Sequence, residues 1–168
     1  GVNDEAKYEA LTGLRNRPYR LEVMQTAIEA DRMSSVVLID LDGFKEINDS
    51  RGHACGDEAL VLVAERLREF AGDDRVIARL GGDEFGMLLV GCPLDKARQI
   101  ADKVCSAVRG YRFVWQDKIF SVGVSVGLVQ VGPESGSNDN LLSAADSACY
   151  VAKQQGRNRV HVYSGRDE

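Results

Sequence analysis

The sequence lacks the features that would place it outside the ordinary globular proteins. It has only three prolines in 168 residues, and no repeat, low-complexity tract or proline-rich linker divides it. Its apolar runs, such as 36–39 and 87–90, are far too short to span a bilayer, so we expect no membrane contact by this segment. The four cysteines form no CxxC pair, which favours buried free thiols over disulfide bonds or a zinc site.

Basic residues are also in short supply, 21 against 26 acidic ones, for a formal net charge of −5. A protein that neutralises many phosphates of a duplex needs a broad basic surface, so we expect no nucleic-acid partner. The 44% of hydrophobic and 28% of charged residues are typical of a folded globular chain. We expect a single domain over 1–168 with 1–10 as an N-terminal connector, in a chain short enough to be excised from a longer multidomain protein.

Hydrophobic periodicity predicts an α+β fold with a central, mainly antiparallel sheet in the order β-α-α-β-β-α-β and helices that flank it. A run of β-branched and aliphatic residues predicts a first strand that is buried on both faces. The Gly-Gly-Asp-Glu stretch predicts a hairpin turn. The predicted elements are a helix after Pro18 carrying Leu21, Met24 and Ile28, a strand over 36–41, a short helix from Phe44, a helix over 57–71, strands over 75–80 and 85–90, a helix over 94–109, a strand over 120–128, a helix over 141–152 and a closing strand over 160–163.

Two acids stand at the end of the first predicted strand. Because side chains alternate along a strand, Asp40 and Asp42 are expected on the same side. Paired carboxylates suit Mg²⁺ or Mn²⁺, although solubilising acids at a strand exit are the plainer alternative. Gly43 permits a tight turn, and the helix that Phe44 and Lys45 open could bind phosphate through its free amides and the lysine charge. The segment therefore favours a nucleoside triphosphate site.

The predicted hairpin turn carries two more acids. Gly81 and Gly82 would let a substrate approach the backbone closely, and Asp83 and Glu84 follow them. In isolation this is an ordinary β-turn. If the hairpin lies beside the first strand, acids from two neighbouring strands converge, which is the arrangement for metal-assisted attack on phosphorus.

These segments resemble a known family, the GGDEF domains of diguanylate cyclases. The residues Gly-Gly-Asp-Glu-Phe at 81–85 spell the family signature, and four further segments resemble the family in the same order along the chain. They are 11–17, 40–49, 52–57 and 153–158.

The resemblance implies a fold and an activity. The fold implied is the palm shared with class III nucleotide cyclases and many polymerases. The activity implied is the condensation of two GTP molecules into cyclic di-GMP and two pyrophosphates, with Mg²⁺ or Mn²⁺ as two ions per active site. Each domain holds one GTP, so a homodimer is implied. The resemblance also implies a bacterial cytoplasmic domain, fused to sensory and in some cases phosphodiesterase domains, whose parent protein could be anchored in a membrane elsewhere.

The resemblance also assigns roles to residues, which stay expectations at this point. Metal would be bound by two or three carboxylates and one main-chain carbonyl, catalysis would use a general base at the hairpin tip, and guanine would be read by an amide and a carboxylate. The assignments are Asp40, the carbonyl of Leu41, Asp83 and Glu84 for metal; Asp83, Glu84 and Lys45 for catalysis; Asn48 and Asp57 for guanine; Phe44, Gly81, Gly82, Lys153 and Arg157, with Lys45, for the rest of the substrate.

The sequence departs from the family pattern at two places. Residues 72–75 read Gly-Asp-Asp-Arg where many members carry Arg-x-x-Asp, so we expect no product inhibition through that site. Glu9 stands where Asp is usual, which concerns local hydrogen bonding at the start of the domain. A second hypothesis remains open: a catalytically weak, GTP-binding regulatory domain that controls a neighbouring phosphodiesterase domain.

Overall fold

A five-stranded sheet is the frame of the structure, a computed structural model that describes residues 11–14, 33–70, 75–132 and 138–164. The sheet has the strand order β2-β3-β1-β6-β7, and β4 and β5 form a separate hairpin. In chain order the elements are β1 (Ser34–Leu41), α1 (Phe44–Arg51), α2 (His53–Phe70), β2 (Arg75–Gly81), β3 (Glu84–Val90), α3 (Leu94–Gly110), β4 (Phe113–Trp115), β5 (Lys118–Phe120), β6 (Val124–Val131), α4 (Asn138–Gln154) and β7 (Arg159–Val162).

The sheet is mainly antiparallel, as predicted. β1 pairs antiparallel with both β3 and β6, β2 pairs antiparallel with β3, and β7 alone runs parallel to its neighbour β6. The predicted connector at 1–10, the helix predicted after Pro18 and residues 72–74 lie outside the described residues.

Both faces of β1 are covered by helices, which explains its unbroken apolar sequence. Val37, Ile39 and Leu41 face the core shared with α1, α2 and α3. Val36 and Leu38 face the opposite core, which α4 covers. Since side chains alternate along a strand, Asp40 continues the row of Val36 and Leu38 on the α4 side, one residue before β1 ends.

A glycine in β6 allows α4 to approach the sheet closely. A Cβ added at Gly127 would lie 2.3 Å from the carbonyl oxygen of Ala145 and 2.5 Å from the amide nitrogen of Cys149. The backbone of α4 can therefore lie directly on β6 only because position 127 has no side chain. This contact carries the C-terminal turn of α4 to the end of β1.

Two predicted boundaries are wrong. The strand predicted over 120–128 is broken: 118–120 pairs back on 113–115 in the β4–β5 hairpin, and β6 begins only at Val124. The rings of Phe113 and Phe120 stack with centroids 5.2 Å apart, so packing within the hairpin replaces pairing in the main sheet. The helix predicted over 57–71 begins at His53, directly after Gly52 with φ 93°.

All four cysteine side chains are buried thiols, as predicted. Among the helices that the structure describes, none is long and apolar enough to cross a membrane.

Candidate active site

The C-terminal end of β1 brings acids from two strands together. In the sheet register Asp40 stands opposite Glu84 of β3 and opposite Ser125 of β6, and directly opposed residues share one face of a sheet. The carbonyl of Asp83 also accepts a hydrogen bond of 3.0 Å from the amide of Leu41. The hairpin therefore lies beside the first strand, which is the condition under which the acids converge.

Asp40 is a mostly buried carboxylate with one oxygen engaged and one open. Its Oδ2 accepts a hydrogen bond from Lys153 Nζ at 2.5 Å, and its side chain is only 17% exposed. Its Oδ1 is buried and has no hydrogen-bond partner among the described residues. Because an unpartnered buried oxygen is costly, Oδ1 is suited to receive a ligand.

The position of Asp83 raises the pKa of its carboxyl group above the ordinary value. Burial is the largest cause, followed by the negative charge of Asp40; a backbone hydrogen bond and the charge of Lys153 offset part of the rise. A raised pKa brings a carboxylate closer to the operating range of a general base. Such groups concentrate at functional sites.

Lys153 keeps its positive charge in this surrounding. Burial lowers the pKa of its ammonium group, but the hydrogen bond and the charge of Asp40 outweigh that effect, with smaller contributions from Cys149 and Asp83, so the pKa is raised overall. The last turn of α4 thus contributes a fixed cation to the acidic end of β1.

The donors at this edge fit a divalent cation of the magnesium type. Asp40 and Asp83 offer carboxylate oxygens and Leu41 a main-chain carbonyl, and hard oxygen ligands are those that Mg²⁺ prefers. Within the described part of the chain, no three His, Cys, Asp or Glu side chains gather into a ready metal cluster. An ion held here would take its remaining ligands from phosphate and water, as Mg²⁺ commonly does.

The two glycines of the hairpin are required by the backbone. Gly81 and Gly82 have φ of 142° and 49°, and both are exposed with nothing within 4 Å of an added Cβ. The guanidinium group of Arg79 donates to the carbonyl of Gly82, at 2.7 Å from Nη2 and 3.2 Å from Nε. The tip is therefore open to a ligand but held in one conformation.

Two further predicted residues, Asn48 and Phe44, meet where α1 packs on α2, whereas Asp57 faces a cavity that neither of them lines. Asn48 Oδ1 is buried without a hydrogen-bond partner among the described residues, and a Cβ added at Gly56 would lie 1.9 Å from it. Phe44 is half-buried and packs against the core beside them, with Cε1 3.1 Å from the same added Cβ. Asp57 is exposed one residue later on α2, in the lining of a cavity of about 400 Å³.

The remaining predicted phosphate ligands, Lys45 and Arg157, are exposed. Lys45 lies in the first turn of α1, whose N-cap Gly43 has φ 68° and supplies no side-chain cap. Arg157 follows α4 with φ 63°, and its amide donates to the carbonyl of Ala152 at 3.0 Å. Lys45 is therefore on the surface at the start of α1, just after β1, and Arg157 is on the surface just after the end of α4.

Asp42 lies on the same side as Asp40, as predicted, because the Ser125 hydroxyl that its carboxylate binds belongs to the residue opposite Asp40 in the register of β1 and β6. Its position is not set by the strand itself. β1 ends at Leu41, so Asp42 lies in a turn where strand alternation no longer applies. Its carboxylate accepts hydrogen bonds from Ser125 Oγ at 2.6 Å and from the amide of Asn158 at 2.9 Å. Both of its oxygens are thus occupied by protein groups.

Cys149 and Gly56 are residues of the site that the sequence analysis missed. Cys149 lies one helical turn before Lys153, and its Sγ lies 3.3 Å from the carbonyl of Ser125. Burial, followed by the charge of Asp40, raises the pKa of its thiol. The i, i+4 spacing of Cys149 and Lys153 places both residues on one face of a helix, so the sequence could have indicated Cys149. The role of Gly56 could not be found in this way, because it depends on how two helices pack.

Comparison with known proteins gives one family. The protein-family model described as "Diguanylate cyclase, GGDEF domain" matches residues 6–159. The probable diguanylate cyclase DgcE of Escherichia coli is 41% identical over 162 residues, 94% of this chain and 15% of that protein. The cyclic di-GMP phosphodiesterase PdeB of Shewanella oneidensis is 32% identical over 167 residues, 99% of this chain and 20% of that protein.

A solved structure agrees in fold. The coiled coil and GGDEF domain of DgcB from Caulobacter crescentus, in complex with c-di-GMP, superposes with a TM-score of 0.90 at 27% identity, over 96% of this chain and 87% of that one. The palm-like α+β fold is therefore confirmed. The chain spans a fifth or less of the length of the two curated relatives.

Proposed function

This chain belongs to the GGDEF domain family of diguanylate cyclases, and we propose that it condenses two GTP molecules into cyclic di-GMP and two pyrophosphates. In each of the two steps the 3′-oxygen of one nucleotide forms a bond to the α-phosphorus of the other. The bond from that phosphorus to the bridging oxygen breaks, pyrophosphate leaves, and the hydroxyl proton passes to a base. Two such steps close the ring.

The observation that carries the proposal is the acidic end of β1. Asp40 offers a buried, open oxygen there, and Asp83 is next to it with a raised pKa. An acid pair that is expensive to bury supports a role in binding or catalysis more than one in folding. Lys153 adds the positive charge that phosphoryl transfer requires beside it.

Each residue then has a role in the proposed reaction. Asp83 is the base that accepts the proton of the 3′-hydroxyl, since its raised pKa improves proton acceptance near neutral pH. Lys153, with Lys45 and Arg157 at the surface, binds the triphosphate and stabilises the charge that develops on it. Mg²⁺ or Mn²⁺, as two ions held by Asp40, Asp83, Glu84 and the Leu41 carbonyl, would polarise the phosphate oxygens and lower the pKa of the attacking hydroxyl.

Guanine specificity is assigned to the junction of α1 and α2. The buried, unpartnered amide oxygen of Asn48 can accept a hydrogen bond from a base, and the carboxylate of Asp57 can accept from the ring N–H and amino group of guanine. Adenine lacks that pair of donors. Gly81 and Gly82 leave the hairpin tip clear for the phosphates, and Phe44 contributes a main-chain amide at the start of α1.

The active form is proposed to be a homodimer. Each chain is assigned one GTP, so two chains must face each other before a 3′-hydroxyl can reach the partner nucleotide. Specific activity should therefore rise with protein concentration. We assign the domain to the bacterial cytoplasm, where GTP is available, in a longer protein whose other parts supply a signal, as the small share of its relatives that it spans suggests.

A regulatory domain is the second candidate, favoured by one finding. PdeB, named as a phosphodiesterase, matches 99% of this chain. In that case the site would bind GTP and alter a neighbouring phosphodiesterase domain with little synthesis of its own.

The test is product analysis with GTP and ATP in parallel, at rising protein concentration and with Mg²⁺, on the wild type and Asp83→Ala. Cyclic di-GMP from GTP alone, with more than proportional dependence on protein and loss in Asp83→Ala, is the expected result. GTP binding without product at any concentration, even after forced dimerisation, would support the regulatory candidate instead.

A further inference from the structure

Asp42 is adjacent to the proposed active site but is not part of its ligand set. We propose that it is a positioning residue: its carboxylate fixes the loop after α4 to the end of β1, and so sets where Lys153 and Arg157 stand relative to Asp40. The inference rests on the proposed function for its consequence in GTP binding, but not for the structural connection itself.

Three hydrogen bonds connect Asp42 to two other segments. The Ser125 hydroxyl donates to Oδ1 at 2.6 Å, and the amide of Asn158 donates to Oδ2 at 2.9 Å. The amide of Asp42 itself donates to the carbonyl of Gly123 at 2.9 Å. One residue thus ties the end of β1 to the start of β6 and to the loop that follows α4.

The loop has a backbone conformation that needs such support. Arg157 and Asn158 are consecutive non-glycine residues with φ of 63° and 53°, a region that residues with a Cβ seldom adopt. The loop's own bonds, from the amides of Gly156 and Arg157, return to Lys153 and Ala152 in α4. The bond from Asn158 to Asp42 instead joins the loop to the sheet.

The side of the loop that faces the sheet is closely fitted. A Cβ added at Gly123 would lie 3.2 Å from Cβ, Cγ and Oδ1 of Asn158. Ser125, the other partner of Asp42, stands opposite Asp40 in the register of β1 and β6. The connection therefore runs from the loop that carries Arg157 to the strand position that carries Asp40.

The same contacts separate Asp42 from the metal ligands. Each of its oxygens accepts a protein hydrogen bond, whereas Asp40 has an oxygen with no partner among the described residues. An asparagine at position 42 can preserve both connections, because its carbonyl accepts the Asn158 amide and its amino group donates to the Ser125 hydroxyl. A carboxylate that binds Mg²⁺ would lose its negative charge in the same substitution and would bind the ion more weakly.

The test compares Asp42→Asn, Asp42→Ala and Ser125→Ala, with Asp102→Ala on the exposed face of α3 as the matched control. Amide hydrogen exchange at Asn158 reports the connection, and steady-state kinetics report KM for GTP, kcat and the Mg²⁺ concentration at half-maximal rate. In Asp42→Ala we expect exchange at Asn158 to accelerate about tenfold or more and KM to rise about tenfold, with a smaller change in kcat. Asp42→Asn should stay within about twofold of the wild type in all of these, and Ser125→Ala should change them in the same direction as Asp42→Ala but less.

Two results would overturn the inference. One is an Asn158 exchange rate unchanged in Asp42→Ala. The other is an Asp42→Asn variant as impaired as Asp42→Ala with a raised Mg²⁺ requirement, which would make Asp42 a metal ligand. If Asp42→Ala does not fold, Ser125→Ala and Asp42→Asn decide by the same readouts. If the wild type makes no cyclic di-GMP, the proposed function fails while the exchange measurement still tests the connection.

Discussion

Asp83 is the residue at which the chemistry of the site opposes stability. Its pKa in the folded chain is raised, mainly by burial and then by Asp40. Folding therefore favours the protonated carboxyl, so the loss of stability begins as the pH rises above the pKa of the unfolded chain and is complete above the pKa of the folded chain. Below the pKa of the unfolded chain both states are protonated and the penalty disappears.

Replacing Asp83 by asparagine should remove that penalty. We expect Asp83→Asn to have a higher free energy of unfolding than the wild type at about pH 7, and an equal one at about pH 3, where the carboxyl is protonated in both states. Urea unfolding at the two pH values measures this, with Asp102→Asn as the control for loss of an exposed charge. A variant less stable than the wild type at neutral pH would contradict it. The Asp83→Asn variant should also lose the synthesis of cyclic di-GMP.

Gly56 should be as important for nucleotide binding as any charged residue. The Cβ of Gly56→Ala would lie 1.9 Å from Asn48 Oδ1 and 3.1 Å from Phe44 Cε1, so Asn48 must move. We expect a stability loss of about 1–3 kcal/mol and at least about tenfold weaker GTP binding.

Calorimetric GTP titration and urea unfolding measure the effects of Gly56→Ala. The matched control is Gly110→Ala at the end of α3, where an added Cβ meets nothing within 4 Å. Gly110→Ala should bind GTP as the wild type does. Normal GTP affinity in a folded Gly56→Ala would remove Asn48 from the guanine site.

At the scale of elements, the site depends on how closely α4 lies on β6. The added methyl group of Gly127→Ala would overlap the backbone of α4 at Ala145 and Cys149, and backbone cannot move aside as a flexible side chain can. We expect a loss of about 1–3 kcal/mol or more in the free energy of unfolding, together with a loss of activity in the molecules that remain folded, because Lys153 shifts with the helix.

The control for Gly127→Ala is Gly132→Ala, at the end of β6, where an added Cβ has open space. Urea unfolding compares the two variants, and cyclic di-GMP synthesis under conditions where both are folded compares their activity. Equal stability of the two alanine variants would show that α4 can rearrange without strain.

The elements that could be predicted from the sequence are those that depend on residues close together in the chain. The run at 36–39 must be buried on both faces whatever covers it, and Gly81–Gly82 permits a turn whatever strands flank it. Apolar and small residues alternate over 120–128, which predicts one strand. This pattern could not reveal the break at 121–123, because the stacking of Phe113 on Phe120 depends on a preceding hairpin.

The same distinction applies within the site. Asp40 and Asp83 could be identified as an acid pair from strand ends and a turn. The hydrogen bond from Lys153 to Asp40 joins residues 113 positions apart, and the engagement of Asp42 by Asn158 joins residues 116 apart. Contacts at that separation depend on the order of strands in the sheet, which periodicity does not determine.

For the whole molecule, the distribution of thiols predicts resistance to alkylation and oxidation. All four cysteine side chains are buried in the described core, and burial raises the pKa of Cys55, Cys105 (to about 11) and Cys149. Since the thiolate is the reactive form, a raised pKa leaves little of it at about pH 8.

A colorimetric thiol reagent should therefore label no cysteine quickly in the folded protein at about pH 8, and all four after unfolding in urea. The labelling rate should follow the unfolding equilibrium. Fast labelling of one thiol in the folded state would show that its surroundings open far more often than the rest of the core.

The ion pair between Lys153 and Asp40 also affects whether the fold needs a bound metal ion for its stability. One oxygen of the Asp40 carboxylate already has a cationic neighbour within the chain, so the acidic edge is partly neutralised without any metal ion. A chelator should accordingly stop synthesis without lowering the melting temperature, unlike its effect on domains that need their metal to fold. An ion at the proposed site would therefore compete with Lys153, an internal counter-charge, for the carboxylate of Asp40.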